Sequence, residues 1–242
     1  MKKRKQGFTS RHARLLGLLV FALVISAGAW GLGRYLLDPH TLPIRSIQVK
    51  GEFRNLDREN IKQVLAKAVD DGFFNLDLRR LREAAIGSPW VADARITRVW
   101  PDRLVVDVTE QKPIAHWGKD GLLNDQGEVF HPRKGLKKHL PLRFVGDEHK
   151  APLMLDFFVR EQPNFRRQGM SIQAVILDKR GEWRLELADG TSIIVGKEDM
   201  GKRISRLLGA YPVLEQEARR PEKVDLRYEQ GFAVSWRPEE ES

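Results

Sequence analysis

From Leu15 to Gly33 the chain reads LLGLLVFALVISAGAWGLG, nineteen residues without a charge. As a helix rising about 1.5 Å per residue, this run spans roughly 30 Å, the hydrocarbon thickness of a bilayer. A helix in a soluble core rarely runs this far without a polar face. Trp30 and Tyr35 stand near its far end, where amphipathic rings favour the membrane interface. Lys2, Lys3, Arg4, Lys5, Arg11 and Arg14 precede the run, and Arg34 alone follows it closely. The positive-inside rule then predicts a basic cytoplasmic tail over 1–14, a membrane helix over 15–37, and nearly all the mass on the far side. That is a single-pass type II arrangement.

A cleavable signal peptide is the rival reading. Residues 1–14 would be its n-region, Leu15 to Ile25 its h-region, and Ala27-Gly28-Ala29 its A-x-A site. Against cleavage, apolar residues continue past that site through Leu32, Tyr35, Leu36 and Leu37. Under either reading the remainder is extracytoplasmic.

The net charge of +9 and pI near 9.8 suggest nucleic acid at first sight. The seven basic residues of the first 37 positions face no acidic one, and setting them aside leaves 35 basic against 33 acidic. A nearly neutral body argues against a nucleic-acid face, which needs clustered Lys and Arg. There is no cysteine, so disulfides cannot stabilise the fold, which is compatible with a bacterial periplasm.

Asp38-Pro39-His40 is expected to end the membrane helix, because proline cannot continue it. The next seventy residues read as strand, helix, helix, strand, strand. Ile44, Ile47 and Val49 lie in an extended run closed by Gly51. Asn55 or Asp57 can cap a helix carrying Ile61, Val64, Leu65 and Ala68 at helical spacing, stopped by Gly72. A second helix starts near Asp77, with Leu78, Leu81 and Ala85 on one face, and breaks at Ser88-Pro89. Val91–Val99 and Leu104–Glu110 read as strands joined by Trp100-Pro101-Asp102. Trp90, Trp100, Pro101 and Glu110 look structural: a packing anchor, a turn and a strand-end carboxylate.

Beyond Pro113 many short strands are expected, with Asp189-Gly190 the strongest hairpin signal because it tolerates a type I′ turn. One helix interrupts them, over about Glu198 to Glu217, with Ile204, Leu207, Leu208, Tyr211 and Leu214 as its apolar stripe. Two last strands follow, Val224–Tyr228 and Phe232–Trp236, and an acidic tail over 238–242 reads as disordered. The fold class is α+β.

Catalysis and metals have little support. There is no cysteine nucleophile, no G-x-S-x-G elbow and no H-E-x-x-H pair. His131 and His139 sit in a lysine-rich loop, and Asn124-Asp125-Gln126-Gly127-Glu128 lacks the alternating ligands of a calcium loop. No catalytic residue, cofactor or metal ligand is assigned.

Three stretches together resemble the FtsQ/DivIB family of bacterial division proteins. They are SPWVADARITRVWPDRLVVDVTEQKPIAHW at 88–117, the helix carrying AYPVLEQ at 210–216, and VDLRYEQGFAVSW at 224–236. With the basic tail and single span, the resemblance covers essentially the whole chain. It implies a POTRA domain (β-α-α-β-β) over 43–112 and a mostly antiparallel β domain over 113–237, with a C-terminal helix and a final two-strand edge. It also implies an uncleaved anchor in the inner membrane. The implied role is an essential, non-enzymatic scaffold of the divisome, concentrated at the septum. Such a scaffold binds FtsB and FtsL, meets FtsK, FtsW and FtsI, and links early division proteins to septal peptidoglycan synthesis. A membrane-anchored POTRA chaperone for secreted polypeptides is the alternative.

In that family FtsB adds a strand to the edge of the last β-domain strand. The resemblance carries the contact to Arg227, Tyr228, Gln230, Gly231, Phe232 and Trp236, with Arg180 as a second basic residue. Alternation would put Leu226 and Tyr228 on one face and Arg227 on the other. The bland alternative makes Tyr228 and Trp236 core residues. A recruitment surface corresponds to Asp93, Ile96 and Arg98, where the bland alternative is an ordinary strand with Ile96 in the core.

Overall fold

The computed structural model describes residues 9–37, 43–69, 73–132, 140–217 and 219–238. The start of the basic tail, the Asp38-Pro39-His40 stop, Gly72, His139 and the tail from 239 onward lie outside those residues.

The apolar run forms helix α1, Thr9–Leu37. Its stretch Leu15–Tyr35 has a mean hydropathy of 2.3 and no buried share. A soluble protein's core helix would be buried, whereas the apolar surface of α1 packs against nothing among the described residues.

Two compact units follow from the packing, 1–110 and 111–242. In the first, a three-stranded sheet has the order β1-β3-β2, formed by β1 (Ser46–Lys50), β2 (Val91–Val99) and β3 (Arg103–Glu110). β1 runs parallel to β3 and β2 antiparallel to it. The period-two pattern of β3 puts Leu104, Val106 and Val108 inward, all buried. Helices α2 (Arg58–Ala68) and α3 (Leu78–Ile86) cover that face with Ile61, Leu65, Leu81 and Ala85.

Local chemistry explains where the helices begin. The Asp57 carboxylate accepts from the Glu59 N–H, and that of Asp77 accepts from Arg79 and Arg80. Asn55, the other cap candidate, serves elsewhere. The Glu110 carboxylate accepts from the backbone of Arg54 at 2.6 Å and of Asn55 at 2.7 Å, and from the Asn55 side-chain amide at 3.0 Å. The end of β3 thereby ties down the loop before α2, the structural role expected of this carboxylate.

The second unit holds one nine-stranded sheet, in the order β12-β11-β10-β9-β8-β7-β4-β5-β6. Its strands are β4 (Pro113–Trp117), β5 (Gly121–Asn124), β6 (Val129–Phe130), β7 (Arg143–Val145), β8 (Ile172–Leu177), β9 (Trp183–Leu187), β10 (Ser192–Gly196), β11 (Pro221–Asp225) and β12 (Ala233–Trp236). Five neighbouring pairs are antiparallel, and three (β4 with β7, β7 with β8, β10 with β11) are parallel. Helix α4 (Ala151–Arg167) makes the crossover from β7 to β8, and α5 (Met200–Leu214) that from β10 to β11.

Helix α4 corrects the expectation of a single helix in this region. Ala151, Met154, Phe157, Glu161 and Phe165 recur at three- and four-residue spacing and are all buried. Pro152 in the first turn and Pro163 inside the helix disguise that stripe.

The Asp189-Gly190 hairpin forms, but not with a type I′ turn. Only Gly190 has positive φ, at 85°. Its N–H donates to the Leu187 carbonyl, and the Leu187 N–H donates to the Thr191 carbonyl. This is a longer loop closed by a glycine in the left-handed region. The Asp189 carboxylate accepts from the Thr191 N–H and hydroxyl, which fixes the turn.

Candidate interaction edge

The site is built around the crossover from β10 to β11. Gly196 ends β10 with φ of 86°, and a Cβ there would collide with the Arg203 guanidinium and stand 3.1 Å from Arg227 Cγ. Glycine at this position leaves room for both arginines. α5 then returns the chain to β11, whose Val224 and Asp225 pair with Ile193 and Ile194. β12 turns back antiparallel to β11 and is the outermost strand. Among the described residues no strand pairs with the other side of β12.

Strand β11 stops at Asp225, short of the expected Tyr228. Leu226 still donates its N–H to the Ile194 carbonyl at 2.9 Å, and its side chain is fully buried. The period-two alternation ends there, because the chain bends at 228–230. Tyr228 therefore does not share the buried face of Leu226. It is 58% exposed, which excludes the core alternative for this residue. Trp236 is half-buried at the end of β12, opposite Pro221. Phe232 precedes β12 and packs partly against the core. Tyr228, Glu229, Gln230, Gly231, Phe232 and Ala233 together line an open depression beside the edge.

Arg227 points outward into a cluster of charges. Its Nε and Nη2 donate to the Asp225 carboxylate at 2.9 and 2.7 Å, and its Nη1 donates to Glu182 Oε1 at 3.1 Å. Arg227 holds the Asp225 carboxyl below the usual carboxylate range, and Asp225 in turn raises the guanidinium. Asp225 and Arg227 both stay ionised near neutral pH. Arg180 lies exposed in the β8–β9 turn, two residues from Glu182. In that turn the Asp178 carboxylate accepts from the N–H groups of Arg180 and Glu182, both at 2.8 Å. The folded chain thus brings the Arg180 turn to the side of Arg227, though the two are 47 positions apart.

One residue that shapes the bend was invisible in the sequence. Arg206, on α5, donates Nη1 to the carbonyls of Tyr228 at 2.9 Å and Gly231 at 2.7 Å. It closes the 228–231 bend from beneath, and no local motif announces so distant a contact. Arg206→Ala is expected to leave the bend unfastened. Hydrogen exchange of the 228–231 amides should rise about ten-fold, and Arg206→Lys should recover part of the protection. Unchanged exchange in the alanine variant would remove Arg206 from this role.

In the first unit, Asp93 is exposed and ion-paired with Arg82 at 2.6 Å, which lowers its pKa. Ile96 packs partly against the core. Arg98 donates to the Leu76 carbonyl, and its Nε is buried without a hydrogen bond among the described residues. Of the three, Asp93 alone is exposed.

The other polar candidates have internal roles. Asn124 is buried. Its Oδ1 accepts from the N–H groups of Gln126 and Glu128, and its amide donates to Gln111 and Glu128. That is a self-contained turn. His131 sits 2.9 Å from Glu148, both exposed. No group of three or more His, Cys, Asp or Glu poised to hold a metal occurs among the described residues.

An apolar N-terminal helix, a small β-α-α-β-β unit and a strand-rich domain with β12 at its sheet edge together define the architecture. Comparison with known proteins agrees. Residues 42–111 match the POTRA domain of FtsQ type, and residues 115–227 match the C-terminal region of the cell division proteins FtsQ/DivIB. The cell division protein FtsQ of Allochromatium vinosum is 39% identical over 95% of this chain and 91% of its own length. That of Hahella chejuensis is 31% identical over 91% of this chain and 76% of its own, and that of a Thioalkalivibrio species 34% over 92% and 95%. The chain belongs to the FtsQ/DivIB family of cell division proteins. It is thus a single-pass membrane protein of the divisome, in a family of protein-binding scaffolds.

Proposed function

We propose that the protein is an essential, non-enzymatic scaffold that binds FtsB, and through it FtsL, by strand addition along β12. It thereby links early division proteins to septal peptidoglycan synthesis. The observation that carries this reading is the place of β12 at the sheet edge, next to an exposed Tyr228. An open edge supplies backbone donors and acceptors to an incoming strand, and neighbouring side chains supply the choice of partner.

Each residue has a distinct part. Tyr228 and Trp236 give the aromatic contacts, of a kind common among interface hot spots. Gln230, Gly231 and Phe232 shape the depression beside them. Arg227 and Arg180 face an acidic partner residue. Arg227 already holds two carboxylates, so the partner's acid joins a pre-formed cluster or displaces Glu182, the more exposed of the two. In the first unit, the strand bearing Asp93, Ile96 and Arg98 serves recruitment to the division site, and the protein also meets FtsK, FtsW and FtsI. The basic tail stays cytoplasmic, both units lie in the periplasm, and the protein concentrates at the septum.

Depletion of the protein tests the role as a whole. Long undivided filaments, reversed by re-expression, are the expected result. Normal division with a leaky outer membrane would overturn it in favour of a POTRA-type chaperone.

A further inference from the structure

The turn Trp100-Pro101-Asp102 between β2 and β3 is not used by any contact described so far. Trp100 is 73% exposed, and the adjoining Val99 is 38% exposed. Trp100 and Val99 stand side by side as an exposed apolar tip on the β2–β3 hairpin.

The strand register says where this turn lies along the chain's path from the membrane. β1 and β3 are parallel, with Ser46 opposite Arg103. The Arg45 N–H donates to the Asp102 carbonyl at 2.8 Å. The turn therefore sits at the end of the sheet where the chain arrives from α1. Leu37, the last residue of α1, is eight residues from Arg45. Covalent geometry limits that interval to at most about 29 Å. Chain connectivity thus leaves the Trp100 end of the sheet within reach of the bilayer surface.

The charges beside it suit a lipid surface. Arg45 is exposed next to the turn, and Arg103 follows it and lines a groove with Ser46 at the same end. The carboxylate facing them is Asp102, 3.9 Å from Arg45. Two cations therefore stand against one acid. Tryptophan bodies settle at the headgroup level of bilayers, and nearby Lys and Arg are drawn to anionic headgroups.

We propose that the Trp100 turn inserts into the headgroup region of the bilayer that anchors α1, with Arg45 and Arg103 as its basic flank. The anchor and the turn then form two attachments of the first unit to one membrane. This second attachment restricts tumbling of the unit about its tether, independently of any division partner.

The chain's lack of cysteine allows a clean test. The full-length Val99→Cys variant is labelled with an environment-sensitive fluorophore in phosphatidylethanolamine/phosphatidylglycerol nanodiscs carrying headgroup nitroxides. Thr109→Cys is the control, exposed six residues along β3 from Arg103, about 20 Å away. Strong quenching is expected at Val99 and weak quenching at Thr109. Adding Trp100→Ala should cut the Val99 quenching about two-fold or more, while thermal unfolding stays the same because Trp100 is outside the core. Equal quenching at both positions overturns the proposal, and so does quenching at Val99 that Trp100→Ala leaves untouched. A turn kept for a protein partner gives one of those two results in lipid alone.

Discussion

Replacing Tyr228 with alanine is expected to weaken FtsB binding by the full-length protein about 30-fold or more, corresponding to at least about 2 kcal/mol. The side chain is 58% exposed and adjoins the open edge, and only its backbone carbonyl is held, by Arg206. Truncation therefore removes contact area without opening a cavity. Surface changes of this sort leave stability within about 0.5 kcal/mol. Titration calorimetry and thermal unfolding on one preparation separate the effects: affinity falls and the melting temperature stays. Unchanged affinity would mean that FtsB does not read this bend. Trp236→Ala is a less clean variant, since that ring is half-buried and its loss also costs packing.

The largest effect on stability is expected from Phe144→Ala. Phe144 lies in β7, fully buried, with its ring stacked on Trp117 at 6.2 Å and edge-on to Phe158 at 5.8 Å. β7 is also the strand through which β4 joins β8, by two parallel pairings. Loss of a buried phenylalanine costs about 3–5 kcal/mol in transfer and cavity terms. That is a large part of the roughly 5–15 kcal/mol that holds a domain folded. The melting transition of the second unit should fall by about 10–20 °C. FtsB binding should fail with it at temperatures where the Tyr228 variant stays folded. A shift of only a degree or two would place the weight of that core elsewhere.

The two variants separate what the sequence could reveal from what it could not. The first unit was readable because its signals are local. Asp57 and Asp77 cap helices two or three residues away, and β3 shows its buried face by simple alternation. Strand order in the second unit depends on pairings between distant segments, and no local pattern announces that β4 meets β7 or that β10 meets β11. α4 was missed because Pro152 and Pro163 interrupt a stripe that is otherwise regular. Tyr228 was placed on the wrong face because alternation was carried past Leu226, where the chain leaves the ladder. Arg206 acts across 22 and 25 positions of sequence on two backbone carbonyls, a contact with no side-chain code to read.

The same comparison sharpens the expected electrostatics. The resemblance matches Arg227 to a basic residue that pairs with an acidic partner. The fold gives it Asp225 and Glu182 first. A partner acid therefore gains less from charge than from fitting an arginine already held in place. Most of the affinity should reside in the β12 backbone and the two aromatic rings.

Amide hydrogen exchange of the full-length protein with and without FtsB tests that claim most directly. Strand addition protects the outward N–H groups of Ala233–Trp236 on β12. The two-residue β6 at the opposite edge and the β2 edge of the first unit should be unaffected. Protection confined to β6 or β2, or bound FtsB that leaves β12 exchanging as in the free protein, would contradict it.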